Sequence, residues 1–159
     1  MSLESGVMKI FRRVWMMAVV AGLGCSASMH ATKTEEQAVL APVNALFSSM
    51  GTHDTDALKK TFLPGGTMTL MREGKPVQMT IEALADRVSA SGTTKVEERI
   101  HDPLIRIDHD LAVVWARFEF LVDGKVDHCG TDLFNLVWVD GRWLIASVTD
   151  TGRKDCAVK

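Results

Sequence analysis

The chain has 159 residues, 47% of them hydrophobic and 24% charged, with a formal net charge of −2 at pH 7. That length predicts one domain large enough to bury a core. The slightly acidic balance argues against a nucleic-acid binder, which would carry a basic face.

The first 28 residues read as a signal peptide. Lys9, Arg12 and Arg13 precede an apolar run from Val14 to Gly24, too short to span a bilayer as a helix. The small residues of "CSAS" suit cleavage after Ala27 or Ser28. Met8 is a candidate start, which would make residues 1–7 extra sequence. The competing reading is a buried or interfacial helix. A lipid anchor at Cys25 fits less well, because Gly22 stands where a branched apolar residue is expected. The remainder, 32–159, is expected to be one exported domain, periplasmic or secreted, with no membrane contact after cleavage. In an oxidising compartment its two cysteines, Cys129 and Cys156, predict a disulfide. The alternative is a buried thiol at Cys129 and a loose one at Cys156.

Helices come first in this domain. "TEEQAVLAPVNALFSSM" opens with a capping-box pattern, Thr34 with Gln37, and then repeats apolar residues at helical spacing. Pro42 predicts a kink or a later start. "DTDALKKTF" reads as a short helix capped by Asp54 or Thr55. "TMTLMREGKPVQM" reads as a hairpin turning near Glu73-Gly74. "TIEALADRVSAS" is a third helix with Thr80 as cap and Ile81, Leu84, Ala85 and Val88 as its buried stripe. Four strands follow, at about 95–107, 111–122, 125–138 and 142–151. Asp123-Gly124 and Asp140-Gly141 are the dipeptides favoured by two-residue type I′ turns. The order predicts an α+β fold, with three N-terminal helices on one face of a strongly curved antiparallel sheet.

This order resembles the NTF2-like (SnoaL-like, cystatin-like α+β cone) superfamily over residues 32–159. Within it, "EEQAVLAPVNALF", "HCGTDLF" and "DTGRKDC" resemble a bacterial exported subgroup labelled "putative lumazine-binding" or nuclear transport factor 2 family protein. The resemblance implies the cone fold and no particular activity, since this fold hosts isomerases, dehydratases, cyclases and binding modules.

The stretch "DHCGTDLF" places acids, an imidazole and a thiol where a strand should run. If both Asp-Gly turns set the pairing without interruption, His128 lies opposite Glu119 and Arg153, Gly130 opposite Arg117, and Asp132 opposite Trp115. Opposed residues share a face. The expected pocket is therefore Trp115, Arg117, Glu119, His128, Asp132 and Arg153, with Gly130 making room beside Arg117. A bulge would shift this parity. His128 and Glu119 are the candidate acid–base pair. The same register turns Cys129 away from His128, against a nucleophilic role and toward a crosslink with Cys156. The plain alternative is a set of cross-strand ion pairs on a solvated face. Trp138 and Trp143 read as core or interface residues.

The histidines show no paired ligand spacing, so neither a metal nor a cofactor is expected. Tyr is absent altogether, unlike the ketosteroid isomerases and scytalone dehydratase of this fold, which rely on tyrosine hydroxyls. The leading expectation is an exported small-molecule-binding domain that forms a homodimer through the outer sheet face. The alternatives are a lyase- or isomerase-type enzyme using a pocket histidine with a carboxylate, or a protein-interaction module.

Overall fold

The computed structural model describes residues 31–156; the expected signal peptide and its cleavage site lie outside them. Helix α1 (Lys33–Thr52) starts at a capping box built on Thr32 and Glu35. Thr32 Oγ1 accepts from the Glu35 N–H at 3.2 Å, and Glu35 Oε2 accepts from the Thr32 N–H at 2.7 Å. The box thus sits two residues ahead of the expected Thr34–Gln37 pair. Pro42 lies inside α1, buried, and the helix runs through it; the missing N–H forfeits one backbone bond but turns a compact apolar ring to the core. Helix α2 (Thr55–Lys60) is capped by Asp54, and α3 (Ile81–Ala90) by Thr80. The stripe Ile81, Leu84, Ala85 and Val88 is buried as its spacing predicts.

Six strands make one sheet: β1 (Phe62–Arg72), β2 (Lys75–Thr80), β3 (Val96–Asp108), β4 (Leu111–Val122), β5 (Lys125–Val139) and β6 (Arg142–Arg153), in the order β2-β1-β6-β5-β4-β3. β1 runs parallel to β6, and all other neighbours are antiparallel. At Glu73-Gly74, Asp123-Gly124 and Asp140-Gly141 both residues have positive φ, as type I′ turns require. The helices cover the concave face. Val39 and Val43 of α1 pack with Val114, Phe134, Leu136 and Ile145, each 0–1% exposed. Each such side chain contributes about 1.5–3 kcal/mol on burial.

Two bulges change the register of β5 against β4 and β6. Leu121 pairs with Val126 but Phe120 with His128, which leaves Asp127 as an extra residue in β5. Leu136 pairs with Ile145 but Asn135 with Ser147, so Ala146 is extra in β6. Each inserted residue reverses which side chains share a face beyond it. Past the bulges, Ala116 lies opposite Asp132, Phe118 opposite Gly130, and Glu119 opposite Cys129.

Cys129 and Cys156 form a disulfide, with Cα atoms 5.7 Å apart. It ties the segment after β6 back to the start of β5. Among the described residues no helix is long and apolar enough to cross a membrane.

Candidate functional site

A cavity of about 230 Å³ lies between α1, α3 and the concave face of the sheet. Its wall is apolar: Met50 comes from α1, Met68 and Leu70 from β1, Met79 from β2, Leu84 and Val88 from α3. Phe118 and Phe120 of β4 close the other side. The cavity's polar lining comes from Arg72 (β1), Arg87 (α3), Ser91, Glu98 (β3), His128 (β5) and Asp150 (β6), with Arg72, Glu98 and Asp150 interacting at one end. An apolar enclosure with a few converging polar groups is the usual form of a small-molecule site.

Of the residues expected from the sequence to share a pocket, the structure brings only His128 and Asp132 to the concave side. His128 lines the cavity, and Asp132 lies buried beneath it at 2% exposure. Trp115, Arg117, Glu119 and Arg153 belong to the opposite, convex face. Trp115 is 52% exposed, and Arg117 pairs with Asp102 at 3.0 Å. Glu119 meets His101 at 3.4 Å rather than His128. Arg153 lies opposite Cys129. The physical reason is the Asp127 and Ala146 bulges, which the turn-based register does not contain. Gly130 therefore makes no room for Arg117. A Cβ there would lie 1.5 Å from the Thr151 carbonyl oxygen and 2.8 Å from Phe118 Cε1, so the glycine lets two strands close.

Gly152 is the glycine that makes room. A Cβ on it would stand 2.7 Å from Arg72 Nη1. Arg72 lies over this gap and grips Asp150 with both forks, Nη1–Oδ1 at 2.5 Å and Nη2–Oδ2 at 2.8 Å. Asp150 is 7% exposed, so the guanidinium supplies the charge partner that a buried carboxylate needs.

A pair of carboxyls adjoins this ion pair. Asp132 lies opposite Asp150 across β5 and β6, and its side chain also interacts with that of Glu98. Asp132 Oδ2 is buried and meets no N–H donor. Two carboxyls in contact hydrogen-bond only when one keeps a proton. Burial, followed by the nearby Glu98 and Asp150 carboxyls, pushes Asp132 well above the ordinary carboxylate range. Burial also pushes Glu98 upward, opposed by its hydrogen bond with Asp132. Both shifts run in the direction that favours a proton kept within the pair.

His128 sits edge-on to Phe118, with ring centroids 5.6 Å apart, and leans on Phe120 at 4.9 Å. Its Nδ1 lies 2.9 Å from Asp127 Oδ2, and Lys154 Nζ holds Asp127 Oδ1 at 2.8 Å. The bulge makes this possible, because it lets adjacent residues of one strand turn their side chains toward each other. Hydrogen bonds from Lys154 and then His128 hold the Asp127 carboxyl below its usual range. Asp127, as an ionised acceptor, orients the imidazole with Nδ1–H toward it and leaves Nε2 as the free nitrogen.

The pocket expected from the sequence does not contain Arg72, Glu98, Asp127, Asp150 or Lys154. Two of them carried a visible signal. Glu98 alternates with Val96 and Ile100, and Arg72 with Met68 and Leu70, so each is a charge on an apolar strand stripe. Among the described residues no group of His, Cys, Asp or Glu is arranged to hold a metal ion.

Solved structures with the same fold include an NTF2-like protein from Cytophaga hutchinsonii, 20% identical, with a TM-score of 0.63 over 75% of this chain and 98% of that one. A cystatin-like protein of unknown function from Nostoc punctiforme is 12% identical, with a TM-score of 0.65 over 81% and 98% of the two chains. A protein of unknown function from Mycobacterium tuberculosis is 18% identical, with a TM-score of 0.66 over 76% and 72%. No curated protein matches the chain. The fold is NTF2-like, and residues 34–149 match a family model described as "Putative lumazine-binding". The chain belongs to that family.

Proposed function

We propose that the chain is an exported domain that binds a small organic molecule in the cavity beneath α1 and α3. The observation that carries this reading is the cavity of about 230 Å³, apolar over most of its wall, with Arg72, Glu98, His128 and Asp150 among its few polar groups. The family description points the same way, although it names a ligand class for the family rather than for this chain. The disulfide suits an oxidising compartment. Native mass spectrometry of protein purified without denaturation from an exporting host tests the proposal. A bound small molecule is expected in the wild type and absent from Met50→Trp, which fills the cavity from a half-buried position on α1. A molecule retained by that variant would place binding elsewhere.

A second reading, a lyase- or isomerase-type enzyme, is favoured by one feature. The Lys154–Asp127–His128 chain fixes a ring nitrogen at the cavity wall, as a general base requires. Turnover of the co-purified molecule, lost in His128→Ala, would support it; release of the molecule unchanged would favour binding alone.

We also propose that two copies pair through the convex face, where Leu104 and Trp115 lie opposite each other, 49% and 52% exposed. Sedimentation should give a dimer that Trp115→Glu converts to monomer; a wild-type monomer contradicts it.

A further inference from the structure

The charged end of the cavity is unbalanced. Three carboxyls, Glu98, Asp132 and Asp150, gather around the guanidinium of Arg72, with Arg87 as the cavity's second guanidinium. That guanidinium is already engaged. Its two terminal nitrogens bind both oxygens of Asp150, and Nη1 also donates to the Met71 carbonyl at 3.0 Å. Its fork is not open to an incoming carboxylate, which would also meet the Glu98 and Asp150 carboxyls. Asp132, nine-tenths buried and lacking an N–H donor at Oδ2, leaves the cluster short of donors. Arg87 lies at the rim on an exposed stretch of α3, where water screens it. His128 lies across β4 from Glu98, the two flanking Phe120 in the pairing. Its Nδ1 is turned to Asp127. An acceptor-rich end whose inner guanidinium is already engaged, with Arg87 screened by water, calls for a ligand that brings donors and positive charge.

We propose that the cavity takes a small molecule with an apolar or aromatic body and a cationic nitrogen headgroup, an amine or amidinium, whose N–H groups are received by Glu98. This rests on the cavity being a binding site and names the chemical class it selects. The body packs among Met50, Met68, Met79, Leu84 and Phe118, while the headgroup reaches the carboxyl cluster. The cation takes over the role of the proton held between Glu98 and Asp132, so binding releases a proton to solvent. Asp132 acts through Glu98 and is a positioning residue.

Three probes of one shape separate the possibilities: benzamidine as the cation, benzyl alcohol as the neutral analogue and benzoate as the anion. Calorimetric titration at pH 7.5 should find benzamidine bound at least about tenfold more tightly than benzoate. Repeating it in phosphate and Tris, which differ in ionisation heat, should show proton release with benzamidine and none with benzyl alcohol. Glu98→Gln, which keeps the shape, should weaken benzamidine by about tenfold or more and affect benzyl alcohol much less. Benzoate binding equally or more tightly, or benzamidine binding without proton release, overturns the headgroup assignment and leaves the cavity reading standing. Failure of all three probes to bind overturns both. The buffer comparison uses wild-type protein alone, so it decides the matter even if Glu98→Gln does not fold.

Discussion

Arg72 crosses over Gly152 to hold Asp150, Nη2 lying 2.8 Å from Oδ2, and this contact joins β1 to β6 at the charged end of the cavity. The glycine and the ion pair are one device: the missing side chain on β6 is the space in which the guanidinium lies. Gly152→Ala should push Arg72 aside, because the obstacle is the far end of a flexible side chain. Asp150 would then be buried with a weakened partner. The expected loss is about 1–3 kcal/mol in urea unfolding. Arg72→Met should cost a similar amount, and an unchanged midpoint in both variants would contradict this account.

Gly130→Ala should be worse. Its Cβ would meet the Thr151 carbonyl oxygen at 1.5 Å, and backbone within a sheet cannot step aside as a guanidinium can. Overpacking of this kind costs about 1–3 kcal/mol and sometimes more, so this variant should unfold at lower urea than Gly152→Ala. The reverse order would show that the strands separate more easily than the register implies.

The Glu98–Asp132 pair makes stability depend on pH. Both groups have folded-state values raised above those of the unfolded chain. The folded protein therefore binds protons more tightly than the unfolded chain, and the stabilisation is present in full below about pH 4, the ordinary carboxylate range. It is lost as pH rises through about 7, where Glu98 titrates, and further as Asp132 loses its proton. Unfolding free energy should fall between about pH 5 and 9, and Asp132→Asn should flatten that slope. A wild-type curve rising across this range would contradict the shared proton.

Removal of the disulfide in Cys129→Ser/Cys156→Ser should cost about 3–4 kcal/mol, from chain entropy over a separation of 27 residues. The same change frees the segment bearing Lys154, so salt dependence of stability from the Lys154–Asp127 pair should also diminish. Equal denaturation midpoints for oxidised wild type and the double variant would show that the crosslink adds nothing.

Much of the fold is readable locally. Asp123-Gly124 and Asp140-Gly141 fix two hairpins by backbone chirality alone, and Ile81, Leu84, Ala85 and Val88 mark the face of α3 by period. The site is not readable in the same way. Neither Asp127 nor Ala146 is a residue type that announces a bulge, yet each reverses the facing of everything beyond it. His128 and Asp132 reach the concave side, whereas Glu119, Arg117 and Trp115, placed with them by uninterrupted pairing, face outward. Arg72 enters the site only because β1 lies parallel to β6, a pairing across nearly half the chain that no local pattern encodes. Glu98 stood on an apolar stripe, where its charge was the one available hint.

The central claim is that the cavity beneath α1 and α3 is where a small molecule binds. Methyl-labelled methionine reports on it directly, since Met50, Met68 and Met79 line the cavity and Met71, next to Arg72, does not. On titration with benzamidine, benzyl alcohol and benzoate, at least one probe should shift the methyl resonances of Met50, Met68 and Met79 together while Met71 stays in place. Probes that bind yet leave those three unmoved, or that move Met71 instead, would contradict it.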